Sequence, residues 1–359
     1  LDKVRVISSV SGGSVIAAAY SYWNGSFEEF DRRIVSLLRR GFQRRIAVAA
    51  LTSRVAPKIA FTFIVSGGAA LLLSILSWLL SLTGSIFRFQ TTELENRLLR
   101  LAARLPQLGS LTTAFEYVLS RDLFGTTSVK DVARPDLDVI INACDLRTGT
   151  AFRFSNRDSG GWRYGRIDDE RPVPLAKAVA ASAAYPLILP PLPEEFTFVR
   201  RGKRVREAVV LTDGGVFDNL GVAAIEPGRS AEVSLNVYHP THIICLNASA
   251  GQLDGADRPI WWPSRVKRSF ATVHRKAHDA AYGRLHRYLE SGGLSGFVMV
   301  YLGQDDDRLP VKPSNLVPRS AVRSYPTNFA PMSDRNIALL SARGEQLGRL
   351  LLDHYAADL

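Results

Sequence analysis

From Ile59 to Phe87 the chain runs for 29 residues without a charged side chain. At about 1.5 Å of rise per residue, a helix of about 20 of them would cross the hydrocarbon core of a bilayer. Such a run fits either a buried core helix or a lipid setting, and few soluble cores need one so long. Ser66-Gly67-Gly68 interrupts it in its first third, which predicts a bend or a loosened helix there. Arg44, Arg45, Arg54 and Lys58 precede the run and Arg88 follows it. Under the positive-inside tendency both ends then stay on the cytoplasmic face. The expectation is a re-entrant or interfacial helical hairpin, set in a helical, membrane-associating insertion over residues 27–120.

The segment before it, "FEEFDRRIVSLLRRGFQRRIAVAAL", repeats apolar residues at three- and four-residue intervals from Phe27 to Ile46. That is the period of an amphipathic helix. Its other face carries Arg32, Arg33, Arg39, Arg40, Arg44 and Arg45. Two readings stand: a solvated surface helix, or a helix lying apolar side down on anionic lipid. The net charge of +11 favours an anionic partner such as a membrane surface. The arginines are dispersed and no nucleic-acid-binding signature is present, so nucleic acid is not expected as a partner.

Outside the insertion, strand-like runs alternate with helical ones: "VRVISSV", "DLDVIINACDL", "GTAFRFSN", "PLAKAVAASAAYPLILPPL", "REAVVLTDGG", "THIICLNAS", "RSFATVHRKAHDAAYGRLHRYLE", "GFVMVYLG" and a closing helix. This predicts one α/β domain over 1–359, three-layered, with a mainly parallel central sheet covered by helices. The two cysteines, Cys144 and Cys245, lie in apolar strand runs and read as packing residues in a reducing compartment.

Two strand ends carry chemistry. In "VRVISSVSGGSV" a β-branched strand runs straight into small residues. A nucleophile elbow needs a strand, a sharp turn and a helix, with small residues two positions either side of the nucleophile. Ser11 has Ser9 and Gly13 there, whereas Ser14 has Ile16 and is crowded. Gly12 follows Ser11 where a backbone N–H can face an oxyanion. In "VVLTDGGVFDNLG", Asp213 ends a strand and is followed by Gly214 and Gly215, which let the backbone turn without crowding. An Asx-turn closing the strand is the plain alternative.

Taken together these motifs resemble the patatin-like phospholipases, whose pattern is G-x-S-x-G on an elbow and D-G-G or D-G-A much later. "VIINACDLRTGTAFRFSN", "AVAASAAYPLILPPL" and "LTDGGVFDNLG" follow in that family's order and spacing. The resemblance covers most of the chain outside roughly residues 30 to 120. It implies a Ser-Asp dyad of Ser11 and Asp213, an oxyanion donor at Gly12, motif glycines Gly13, Gly214 and Gly215, and no metal or other cofactor. It also implies hydrolysis of acyl esters of membrane phospholipid or related lipids. The sequence departs from the pattern at Ser9, which stands where the family has the first glycine. The family's Gly-rich oxyanion loop precedes the nucleophile strand, so on this reading the chain is an N-terminally truncated member and that loop lies upstream of Leu1. Two rivals remain: a membrane-associated scaffold without turnover, and a Ser-Asp-His triad using His239 or His242. His274 and His278, one turn apart, read as a surface helix rather than a metal site.

Overall fold

A computed structural model describes residues 3–359, apart from 88–89, 169, 187, 233, 250–257, 327 and 358. Arg88, counted above among the basic flanks, lies outside the described residues. In chain order the elements are β1 (Val6–Val10), α1 (Gly12–Ser21), α2 (Phe27–Arg40), α3 (Gln43–Thr52), α4 (Ala56–Phe61), α5 (Gly68–Phe87), α6 (Thr92–Ala103) and α7 (Leu111–Leu119). There follow β2 (Asp138–Asp145), β3 (Thr150–Ser155), β4 (Gly160–Gly161), β5 (Gly165–Ile167), α8 (Leu175–Ser182), β6 (Leu192–Arg200) and β7 (Lys203–Asp213). The chain ends with β8 (His242–Asn247), α9 (Trp262–Glu290), β9 (Gly296–Tyr301) and α10 (Asp334–Tyr355).

The fold is mixed α/β, with a large central sheet flanked by helices. Strand β2 is its axis, and its side chains alternate between two faces. Val139, Ile141 and Ala143 enter the main core with Ala18 of α1, Phe115 and Val118 of α7, and Val179 of α8. Ile140 points the other way, onto Ala224 and Tyr238. A second sheet, β8 with β9, is covered by α9 through Ile243, Cys245, Ala281 and Leu285. Val298 and Val300 turn to Leu347 and Leu351 of α10.

The strand directions differ from the mainly parallel sheet expected. Only β1–β2 and β8–β9 are parallel; the other ladders among the described strands are antiparallel. Short turns are the reason. Strands β2 and β3 are joined at Gly149 (φ 64°), and β6 and β7 through Arg201 and Gly202, both at positive φ. The two-residue turn at Arg201-Gly202 matches strand twist and forces a hairpin, and the four residues between β2 and β3 are likewise too few for a parallel crossover.

The segment expected as one helix from Phe27 to Ile46 is two, broken at Gly41 (φ 61°), where the backbone of 329–331 passes too close for a Cβ. Its apolar side faces the protein, since Leu37, Ile46 and Ala49 are core residues. From Phe30 to Ile46 its apolar positions are thus buried or half-buried against the protein, whereas Phe27 at its start is 59% exposed.

The uncharged run does not bend at Gly67-Gly68. Residues 62–67 form a single π-helical stretch within one continuous helix from Ala56 to Phe87. Helix α6 packs along α5. This helix is inverted in polarity. Ser66, Ser77 and Gly84 are buried, whereas Leu72 is 69% exposed and Trp78 63% exposed.

Candidate active site

Strands β1 and β7 use the same edge of β2 from opposite directions. Val6–Val10 of β1 pair in parallel with Asp138–Asn142, and β7 pairs antiparallel with the remainder, Asp213 opposite Ala143. The two strands therefore run head-on and end at adjacent register positions. That meeting brings Ser11, the residue after β1, next to Asp213, the last residue of β7. Asp213 thus ends a strand that is antiparallel to its neighbours, in a sheet expected to be mainly parallel. The two side chains converge nonetheless.

Ser11 sits at the strand-to-helix turn with φ 54° and ψ −131°. Arg201 is the other non-glycine residue with positive φ among the described residues. Such a conformation costs about 1–3 kcal/mol and persists only where its surroundings fix it. Here they do. The Ser11 N–H donates to Ser182 Oγ at 3.1 Å, and Ser182 Oγ–H donates to Asn142 O at 2.6 Å. Ser14 Oγ lies 2.8 Å from Ser182 Oγ and 3.2 Å from Ser9 Oγ. Asn142 Nδ2 donates to Ser8 Oγ and to Ser9 O, at 2.9 and 3.0 Å. The elbow thus rests on a buried polar chain tying β1, β2, α1 and α8 together. Gly12 and Gly13 open α1 and are exposed, with nothing within 4 Å of a Cβ built on either. Amides in a first helical turn lack intrahelical acceptors, so this side of the elbow offers free N–H groups to an approaching oxygen.

Asp213 is 2% exposed. Its Oδ1 accepts the Gly215 N–H at 2.7 Å. Burial pushes the carboxyl up to about 6, and the Ser11 hydroxyl and Gly215 amide hold it from rising further. The hydroxyl is thus near the carboxyl, but Oδ2 is buried without a partner of full hydrogen-bond geometry. Gly214 is required by close approach: a Cβ there would lie 2.3 Å from Asn142 O. Burial, with Asp213 second, also raises the Tyr185 phenol.

The other candidates lie elsewhere. His242 stands at the start of β8, in the small sheet, packed on Gly296. Neither it nor the exposed His239 belongs to the sheet carrying Ser11 and Asp213. Cys144 and Cys245 are buried, their thiols pushed up to about 11 and about 12, mainly by burial. Sequence reasoning missed Ser182, Asn142, Tyr185 and the approach of His274. The usable signal for Ser182 was a lone hydroxyl in the otherwise alanine-rich "AVAASAA".

Ser11, at positive φ on a strand-to-helix turn, thus stands beside a buried carboxylate. The chain matches the model of the patatin-like phospholipases over residues 1–225 and belongs to that family. Among solved structures, VipD from Legionella pneumophila aligns with 98% of this chain at 13% identity and a TM-score of 0.34. The chain spans 61% of that structure's length. No curated protein matches the sequence.

Proposed function

We propose that this protein is a lipid acyl hydrolase that cleaves carboxylic esters of phospholipids at a membrane surface with a Ser-Asp dyad. The observation that carries the reading is the strained Ser11 beside the buried Asp213. Asp213, ionised above about pH 6, takes the proton of Ser11 as Oγ attacks the ester carbonyl. The Gly12 N–H donates to the developing oxyanion. The alcohol portion leaves with that proton, and water then hydrolyses the acyl-enzyme to release the fatty acid. The carboxylate does this without an intervening imidazole.

Membrane association is assigned to α5, about 30 Å long, close to the thickness of a hydrocarbon core. What supports it is the inverted polarity of the helix, because small residues turned inward and leucines outward are the pattern of helices in lipid. The returning limb α6 carries Glu93, Glu95, Arg97 and Arg100, which opposes a full crossing beside α5. The hairpin then lies in one leaflet and keeps Ser11 and Asp213 on one side. Arg54 and Lys58 at its base assign that side to the cytoplasm and to anionic lipid.

The test is release of fatty acid from anionic phospholipid vesicles. Release by the wild type that Ser11→Ala abolishes supports the reading. Release that survives Ser11→Ala places the chemistry elsewhere. Vesicle binding without release favours a non-catalytic scaffold.

A further inference from the structure

The turn after Asp213 is crowded on its open side, and one of the groups crowding it comes from a distant helix. A Cβ built on Gly215 would lie 2.9 Å from Asn219 Oδ1, 3.0 Å from Asp213 Oδ1 and 3.4 Å from His274 Nε2. Three polar atoms therefore converge on one point above the Gly215 backbone, and a side chain there would displace them. The imidazole belongs to α9, beyond the residues matched by the family model. Its placement does not rest on that one approach. The His274 ring stacks on Phe270 (centroids 5.9 Å apart, planes at 25°), and Phe270 meets Tyr185 edge-on at 6.2 Å. Tyr185 is the same residue whose phenol is raised in part by Asp213. Two contacts one turn apart on α9 thus reach two residues beside the carboxylate. His274 is half-buried on a helix that is mostly exposed.

We propose that His274 is a positioning residue for Asp213, its Nε2 standing over the Gly215 turn as a donor toward the carboxylate and fixing its orientation toward Ser11; in this structure the two side chains form no hydrogen bond or ion pair. The carboxylate has capacity for such a donor. An ionised carboxylate accepts up to about four hydrogen bonds, and Gly215 N–H is the one of full geometry that the structure gives Asp213. Around the imidazole the titratable and charged groups are Asp213 from the end of β7, Tyr185 after α8, and Arg275, His278 and Asp279 along α9. Of these, Asp213 is the buried acid. The proposal rests on the dyad reading for its catalytic consequence, whereas the contact itself does not.

The experiment has two arms. In the first, NMR at one fixed pH compares the His274 imidazole resonances in wild type and in Asp213→Asn. Loss of the carboxylate is expected to move the His274 ring signals while leaving those of His239 and His242 in place. His274 signals unchanged by Asp213→Asn overturn the contact, whether or not the protein is an esterase. In the second, kcat/KM for a soluble short-chain ester is followed against pH. His274→Ala is expected to lower the plateau about tenfold through kcat with little change in KM, and to move the acid limb up by about 0.5–1 pH unit. His274→Gln, which keeps an N–H donor, is expected to recover most of the plateau. A pH profile unchanged by His274→Ala overturns the positioning role. Absence of any Ser11-dependent hydrolysis in the wild type would instead defeat the dyad reading and leave the NMR arm to decide the contact.

Discussion

Helices α8 and α5 are both apolar, and they use their side chains in opposite ways. In α8, Leu175, Ala178, Val179 and Ala181 are completely buried, and Ser182, also buried, holds the elbow. In α5 the buried positions are Ser77 and Gly84, while leucines, isoleucines and a tryptophan face outward. Hydrophobicity alone therefore does not say which way a helix faces. The residues on the minority face do. A hydroxyl amid alanines marks a helix whose polar atom is needed inside, whereas small residues amid leucines mark one whose protein-facing side must be narrow.

The same substitution made in both helices separates the two cases. Val179→Asp places a carboxylate in a fully buried site, and the expected cost exceeds about 4 kcal/mol, enough to prevent folding. Chemical denaturation or soluble yield reads this directly. A soluble, cooperatively folding Val179→Asp protein would mean that α8 is not core.

A smaller loss is expected at the turn beneath the dyad. Gly214→Ala brings a methyl group onto the Asn142 carbonyl oxygen, which must move. Destabilisation of about 2–4 kcal/mol is expected by urea unfolding. Wild-type stability would show that the head-on meeting of β1 and β7 on β2 is looser than described.

Asp213 is expected to work against stability at neutral pH. Its carboxyl is raised from 3.8 to about 6 in the folded chain, mainly by burial. Its favourable contribution is therefore complete below about pH 3.8 and is lost as the pH rises through about 6. Asp213→Asn is accordingly expected to stabilise the protein by about 1–3 kcal/mol at pH 8, with the gain vanishing below about pH 4. A gain independent of pH would contradict the buried, titrating carboxylate.

The smallest effect on folding is expected on α5. Leu72→Asp sits on an exposed face and should change folding stability by about 0.5 kcal/mol or less. In vesicle flotation the same change should release the protein from the membrane. Loss of folding instead would show that this face is covered by protein.

Much of the site could be read from the sequence because its signals are local. Ser11 declares itself by the small residues two positions either side, and Asp213 by the glycines that follow it. The direction of β7 could not be read that way. It is set by the two-residue turn at Arg201-Gly202, which lies within a run of basic residues and carries no apolar pattern. The supports of the elbow were hidden for another reason. Ser182 lies 171 positions from Ser11 and reaches it only through the pairing of β1 with β2 and the packing of α8. The continuity of the apolar helix was obscured by Gly67-Gly68, because glycines that end helices in water are tolerated in a helix through a π-helical stretch.

The central claim is that one serine, held at positive φ by the Ser182 network, is the nucleophile and that Asp213 activates it. Labelling with a fluorophosphonate ester, followed by peptide mass spectrometry, tests this most directly. One adduct is expected, on Ser11, with its rate of formation rising through about pH 6 and lost in Asp213→Asn. An adduct on any other residue, or labelling of Ser11 that is indifferent to Asp213→Asn, would contradict it.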